Sequence, residues 1–147
     1  MKQTLVVLIL LASANAWATL GQSVDSVEAD RGALQAVRKQ ANSKSEYTVH
    51  TIESGAATVR EYVNAAGTVF GLAWTGLTHP DLSQLLGSYA SDYQQAVSQN
   101  PHEFGKRSHS VDTGSVVVEK WGHMRSMKGR AYDPALLPQG VSADEIK

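Results

Sequence analysis

Residues 57–74 read ATVREYVNAAGTVFGLAW: two runs rich in β-forming side chains, joined by the turn-prone Asn64-Ala65-Ala66-Gly67. Val, Thr, Tyr, Phe and Trp pack well on a pleated surface, and Asn and Gly allow the tight reversal between such runs. The stretch therefore predicts an antiparallel hairpin. Just upstream the period is again two. Tyr47, Val49 and Thr51 fall on one side of a strand and Thr48, His50 and Ile52 on the other, with Ser54-Gly55 as the next turn. Short connections make these three strands a meander.

A sheet with one apolar face needs a cover. Leu82, Leu85, Leu86, Tyr89, Tyr93, Ala96 and Val97 recur three or four apart, after Pro80-Asp81 and before Asn100-Pro101. They predict a long amphipathic helix over 80–98 lying across the strands. Three more strands are expected over 107–112, 115–121 and 123–132, with Asp112-Thr113-Gly114-Ser115 as a hairpin turn. Toward the N-terminus, Asp25 and Glu28 have the spacing of a capping box, and Val27, Leu34, Val37 and Ala41 draw one thin stripe. That pattern predicts an additional N-terminal helix over 26–41. The fold class is α+β: an antiparallel sheet from two three-stranded meanders, covered by the helix at 80–98. Residues 133–141 hold two prolines and a glycine around Leu136 and Leu137 and read as an ordered loop; 142–147 read as a frayed end.

The first residues belong to an address rather than to the fold. Lys2 precedes the apolar run Leu5–Ala12 (LVVLILLA), and Ser13-Ala14-Asn15-Ala16-Trp17-Ala18 follows. A positive start, a short apolar core and an Ala-x-Ala site are the parts of a secretory signal peptide. Cleavage falls after Ala18, with Ala16 at −3, or alternatively after Ala16. The apolar run is far shorter than the roughly 20 residues of a spanning helix. Residues 1–18 are expected to leave, and 19–147 to form one periplasmic or secreted domain without a stable membrane span. The 147 residues carry 13 Lys and Arg against 14 Asp and Glu, which argues against a nucleic-acid partner. Absence of cysteine excludes disulfides, thiolate metal sites, a thiol nucleophile and an N-terminal lipid-modified cysteine.

These segments resemble the exported bacterial family catalogued as domain of unknown function 2844. The resemblance rests on Thr19-Leu20-Gly21, Val59-Arg60-Glu61-Tyr62-Val63, Gly67-Thr68-Val69-Phe70, Ala73-Trp74 and Pro80-Asp81-Leu82 with Leu85-Leu86-Gly87 and Tyr89. Downstream it continues through Met124-Arg125, Gly129-Arg130-Ala131-Tyr132 and Leu136 to Val141. It covers nearly the whole chain after the signal and implies a Gram-negative secretory-pathway protein. It brings no activity, cofactor or catalytic residue with it.

Candidate chemistry is sparse. Histidines stand at 50, 79, 102, 109 and 123, none with ligand spacing; His102-Glu103 starts like a zinc-protease helix, but Lys106 occupies the second ligand position. A metal would need a strand-built site such as His50, His109 and His123 with a carboxylate. Glu61, Asp81, Asp92, Asp112 and Glu119 offer carboxylates without selecting a catalytic pair. No Gly-x-Ser-x-Gly elbow or phosphate-cradling glycine loop occurs, and no motif implies a cofactor. By alternation Glu61 points with Val59 and Val63 toward the core and needs a partner, while Arg60 and Tyr62 project to the opposite face. From Lys120 to Tyr132 the chain interleaves Lys120, Arg125, Lys128 and Arg130 with Trp121, Met124, Met127 and Tyr132, without an acid. Arg60, Tyr62, Lys128 and Arg130 are thus the candidate ligand-binding residues. They suit an anionic envelope component or a partner protein's acidic patch. The reading is a non-catalytic binding or accessory module of the cell envelope; the competing class is a hydrolase-type or metal-dependent enzyme with an acid–base or histidine site built on strands.

Overall fold

The hairpin at 57–74 forms as β3 (Ala57–Asn64) and β4 (Val69–Gly76), antiparallel, with Val59 opposite Trp74 and Glu61 opposite Leu72. Its turn is closed by the Asn64 side chain, whose Oδ1 accepts from the Ala66 and Thr68 amides at 3.1 and 3.0 Å. Gly67 completes the reversal at φ 80°, a conformation that favours glycine. The structure is a computed structural model and describes residues 20–24, 37–44, 46–101 and 105–147.

Outward from the hairpin, β2 (Tyr47–Glu53) pairs with β3, and β1 (Val37–Ser43) pairs with β2. The expected helix over 26–41 is corrected here at its C-terminal end. Val37 to Ala41 belong to β1, hydrogen-bonded along β2 with Ala41 opposite His50, so no helix runs through them. Pairing on a preformed strand overrides a thin helical stripe that Gly32 already weakens. The rest of that expected helix, up to residue 36, lies outside the described residues.

The second meander comprises β5 (Ser108–Asp112), β6 (Val117–His123) and β7 (Ser126–Tyr132), and β7 pairs antiparallel with β4. One seven-stranded sheet results, in the order β1-β2-β3-β4-β7-β6-β5. The two meanders are therefore continuous, with β4 and β7 at the seam.

Helix covers one face. The predicted 80–98 segment is α1 (Leu82–Leu86), a 3-10 turn (Gly87–Tyr89) and α2 (Ala90–Gln99). It starts at Leu82 because Asp81 is the N-cap, its carboxylate accepting from the Ser83 amide at 2.9 Å. Leu85, Leu86 and Tyr93 pack on Val59, Val63, Leu72, Trp74, Val118 and Ala131. Leu20 joins this core, fully buried, with its amide donating to the Leu85 carbonyl. Gly21 and Gln22 bond to Val69, fastening the lead-in along β4. No helix among the described residues is long and apolar enough to cross a membrane.

The C-terminal segment covers the other face, where a frayed end was expected. Ser142 and Glu145 form a reciprocal capping box around a 3-10 turn, Ala143–Glu145, which delivers Ile146 into the sheet with no exposed surface. Ile146 packs with Tyr47, Tyr62, Phe70 and Ala73, and its side chain fills the space over Gly71, where a Cβ would lie 2.7 Å from Ile146 Cδ1. Burying such a side chain stabilises by about 1.5–3 kcal/mol, to which the capping box around Ala143–Glu145 adds.

Candidate functional site

Arg60 and Tyr62 lie on this second face, opposite Val59 and Val63 as alternation predicts, and the β4–β7 pairing brings Lys128 and Arg130 to the same face. Arg60 and Arg130 flank Ala73 in one row across β3, β4 and β7. Three of the four hold the C-terminal segment. Arg60 Nη1 and the Tyr62 hydroxyl donate to the Lys147 carbonyl at 3.0 and 2.9 Å, and the Lys147 amide donates back to the Tyr62 hydroxyl at 3.0 Å. Arg130 Nη1 donates to the Ala143 carbonyl at 2.6 Å and reaches Asp144 at 3.3 Å, while its Nε pairs with Glu119. Burial disfavours the Arg130 charge, but the hydrogen bonds and charges of Glu119 and Asp144 outweigh it and hold this guanidinium above its ordinary range. Lys128 stays exposed, in the row beyond the segment's reach.

What these contacts leave open is a groove of about 430 Å³ between Ile146-Lys147 and strands β5 to β7. Its floor comes from two cross-strand rows. Ser110, Glu119 and Arg130 stand opposite one another in the first, and Ser108, Trp121 and Lys128 in the second. Lys128 itself does not line the space; Ser108, Ser110, Glu119, Trp121 and Arg130 do, together with His109 and Lys120. The groove thus combines a half-buried indole, two exposed hydroxyls and a carboxylate–guanidinium pair. Sequence reasoning singled out Arg130 and Lys128 but passed over Ser108 and Ser110. The signal for them is the period-two pattern of β5, which becomes informative only once its register on β6 is known.

Other candidates are dispersed. Glu61 is completely buried on the helix-covered face with Val59 and Val63, opposite His50, which is also buried. His50 lies on β2 and His109 on β5, five strand-to-strand steps apart; at about 4.8 Å per step that is roughly 24 Å, too far to share a metal with His123. Asp81 caps α1, Asp112 accepts from the Gly114 amide in its turn, and Asp92 is exposed on α2. His102 falls outside the described residues.

A family model described as protein of unknown function (DUF2844) matches residues 16–146. No curated protein and no solved structure matches the chain.

Proposed function

The chain belongs to the DUF2844 family, and from that premise we propose that it is an exported, non-catalytic binding module of the cell envelope, with the groove beside Lys147 as its ligand site. The observation that carries this reading is the convergence of Trp121, the Ser108 and Ser110 hydroxyls and the Glu119–Arg130 pair in one open space. An indole face suits the apolar C–H face of a pyranose ring, and hydroxyls beside a paired carboxylate and guanidinium suit its hydroxyl edge. The favoured ligand is a saccharide segment of an envelope polymer such as lipopolysaccharide. Engagement of Glu119 by Arg130 favours recognition over proton transfer, because that carboxylate is already committed as an acceptor. Export is supported by the signal-like sequence of residues 1–18.

After signal removal two tryptophans remain, Trp74 buried and Trp121 half-buried, so ligand entry registers in the fluorescence of Trp121. Titration of the mature protein with lipopolysaccharide core oligosaccharides is expected to give a saturable change that Ser110→Phe, which fills the groove from an exposed position, abolishes. A flat response, or one unchanged in Ser110→Phe, overturns the assignment.

A further inference from the structure

Among the described residues two large apolar side chains stand in solvent, Met124 at 88% exposure and Leu77 at 58%. Both lie at one end of the sheet. Met124 is in the two-residue turn between β6 and β7, closed by the pair His123 and Ser126, and Leu77 follows β4, whose last residue Gly76 stands opposite Met127. The Leu77 amide donates to the Ala56 carbonyl at 3.0 Å, so its backbone is fastened to the β2–β3 turn while its side chain stays exposed. Leu77 and Arg125 line one depression of about 290 Å³ across this end, which shares no lining residue with the groove beside Lys147.

The turn itself is costly. Arg125 has φ 65°, in the left-handed region that glycine takes freely and that a residue with a side chain occupies at a cost. Two-residue hairpin turns favour Asn or Gly at such positions. Keeping Met124 and Arg125 there breaks a local folding preference, and breaks of this kind concentrate at functional positions. Positive charge surrounds the two apolar side chains. Arg125 and Lys128 are exposed, and so is Arg107, whose carbonyl accepts from the Gly122 amide at 3.2 Å. No ion pair among the described residues involves any of these three. Of the described acids toward this end, Asp81 is engaged as the cap of α1, and Glu53 stands three strands from β7, roughly 14 Å away at about 4.8 Å per step.

We propose that this end of the sheet docks on an anionic phospholipid bilayer, with Leu77 and Met124 entering the interface between headgroups and chains and Arg107, Arg125 and Lys128 against the lipid phosphates. A small apolar insertion alone holds a protein on a membrane only marginally, and a basic patch supplies the second contribution that stable attachment needs. The unpaired cations favour an anionic lipid surface over an apolar pocket on a partner protein, because the cores of protein interfaces are depleted of charge. The docking is peripheral and needs no spanning helix. It does not rest on the saccharide groove.

Flotation of the mature protein with vesicles of phosphatidylcholine alone, and of phosphatidylcholine with phosphatidylglycerol, tests the proposal. The protein is expected to float with the phosphatidylglycerol vesicles, with less bound at high salt. The double substitution Leu77→Ser, Met124→Ser is expected to weaken partitioning at least about tenfold, since both side chains lose their burial in the interface. Both positions are exposed, so the melting temperature should hold. Arg125→Gly separates docking from folding. Glycine takes φ 65° without strain, so this variant is expected to melt no lower than the parent and yet to partition about fivefold more weakly, for the loss of one cation. Lys44→Gln, in the β1–β2 turn at the opposite end of the sheet, is expected to leave binding unchanged. Failure to float with phosphatidylglycerol vesicles, undiminished flotation of the Leu77→Ser, Met124→Ser variant, or equal loss in Lys44→Gln overturns the proposal.

Discussion

Single residues show how closely this sheet is fitted. Gly129 of β7 stands opposite Trp74, and a Cβ there would lie 2.2 Å from the indole and 2.7 Å from the Glu119 carbonyl, so the motif Gly129-Arg130-Ala131-Tyr132 begins with the one residue that admits the tryptophan. Trp74, held over that glycine, aims its N–H at His79. A second contact ties the helix segment to the residues after β7: the Tyr89 hydroxyl donates to Asp133 Oδ2 at 2.6 Å, while Asp133 Oδ1 accepts from the Ala135 amide. Burial, with the bond and charge of Asp133, pushes the Tyr89 phenol up to about 12 from its ordinary 10.0. The folded protein thus keeps a proton that the unfolded chain releases earlier. The contribution is complete below pH 10 and is lost as pH rises through about 12. Denaturant melts of Tyr89→Phe are expected to show a loss of about 1.5–3 kcal/mol at neutral pH, the range for a hydrogen bond to a charged group. The variant is also expected to decline less steeply than the parent above pH 10. Equal stability at neutral pH would remove this contact from the account.

Among the elements, the strands were the most legible because alternation and turn chemistry are local. Asn64 to Gly67 and Asp112 to Ser115 turn where their side chains indicate. What sequence did not give was pairing between distant strands. The β4–β7 seam fixes which rows of side chains meet, and with it the groove, but nothing local to either strand specifies the other. Val37 to Ala41 illustrate the same limit, since their helical spacing yields to an available strand edge. The C-terminal segment departs from the expected frayed end for a different reason. The structure closes Ser142 and Glu145 into a capping box and buries Ile146, and a lone apolar residue near an end carries weight only when the space that it fills is known. Ile146→Ala removes the side chain that fills the space over Gly71 and is expected to destabilise the protein by about 2–5 kcal/mol in denaturant melts. Dye binding should rise as well, because the aromatic cluster of Tyr47, Tyr62 and Phe70 loses its cover. A loss below about 0.5 kcal/mol, typical of surface positions, would mean that the segment does not hold this face.

At the scale of the whole molecule, one sheet is stabilised from both sides without a covalent tie, the helix closing one face and the last residues the other. The signal-like start bears on this arrangement because the described chain is anchored from Leu20 onward. Leu20 is fully buried and bonded to Leu85, with Gly21 and Gln22 bonded to Val69. Cleavage after Ala18 leaves Thr19 ahead of that anchor and retains every one of these contacts; a cut two residues further on would remove Leu20 from the core. Mass spectrometry of protein recovered from the periplasm is expected to find Thr19 at the N-terminus. Ala18→Arg, which puts a bulky charge where a small residue is required, is expected to leave the precursor uncut at that bond. Protein beginning at Thr19 should melt at the same temperature as protein beginning at Trp17, the product of the alternative cut after Ala16, since Leu20 is present in both. Leu20→Ala, with about 2–5 kcal/mol lost on truncation of a buried leucine, should melt lower in either form. Recovery of Ala18→Arg processed after residue 18, or indifference of stability to Leu20, would break the link between where the signal ends and where the fold begins.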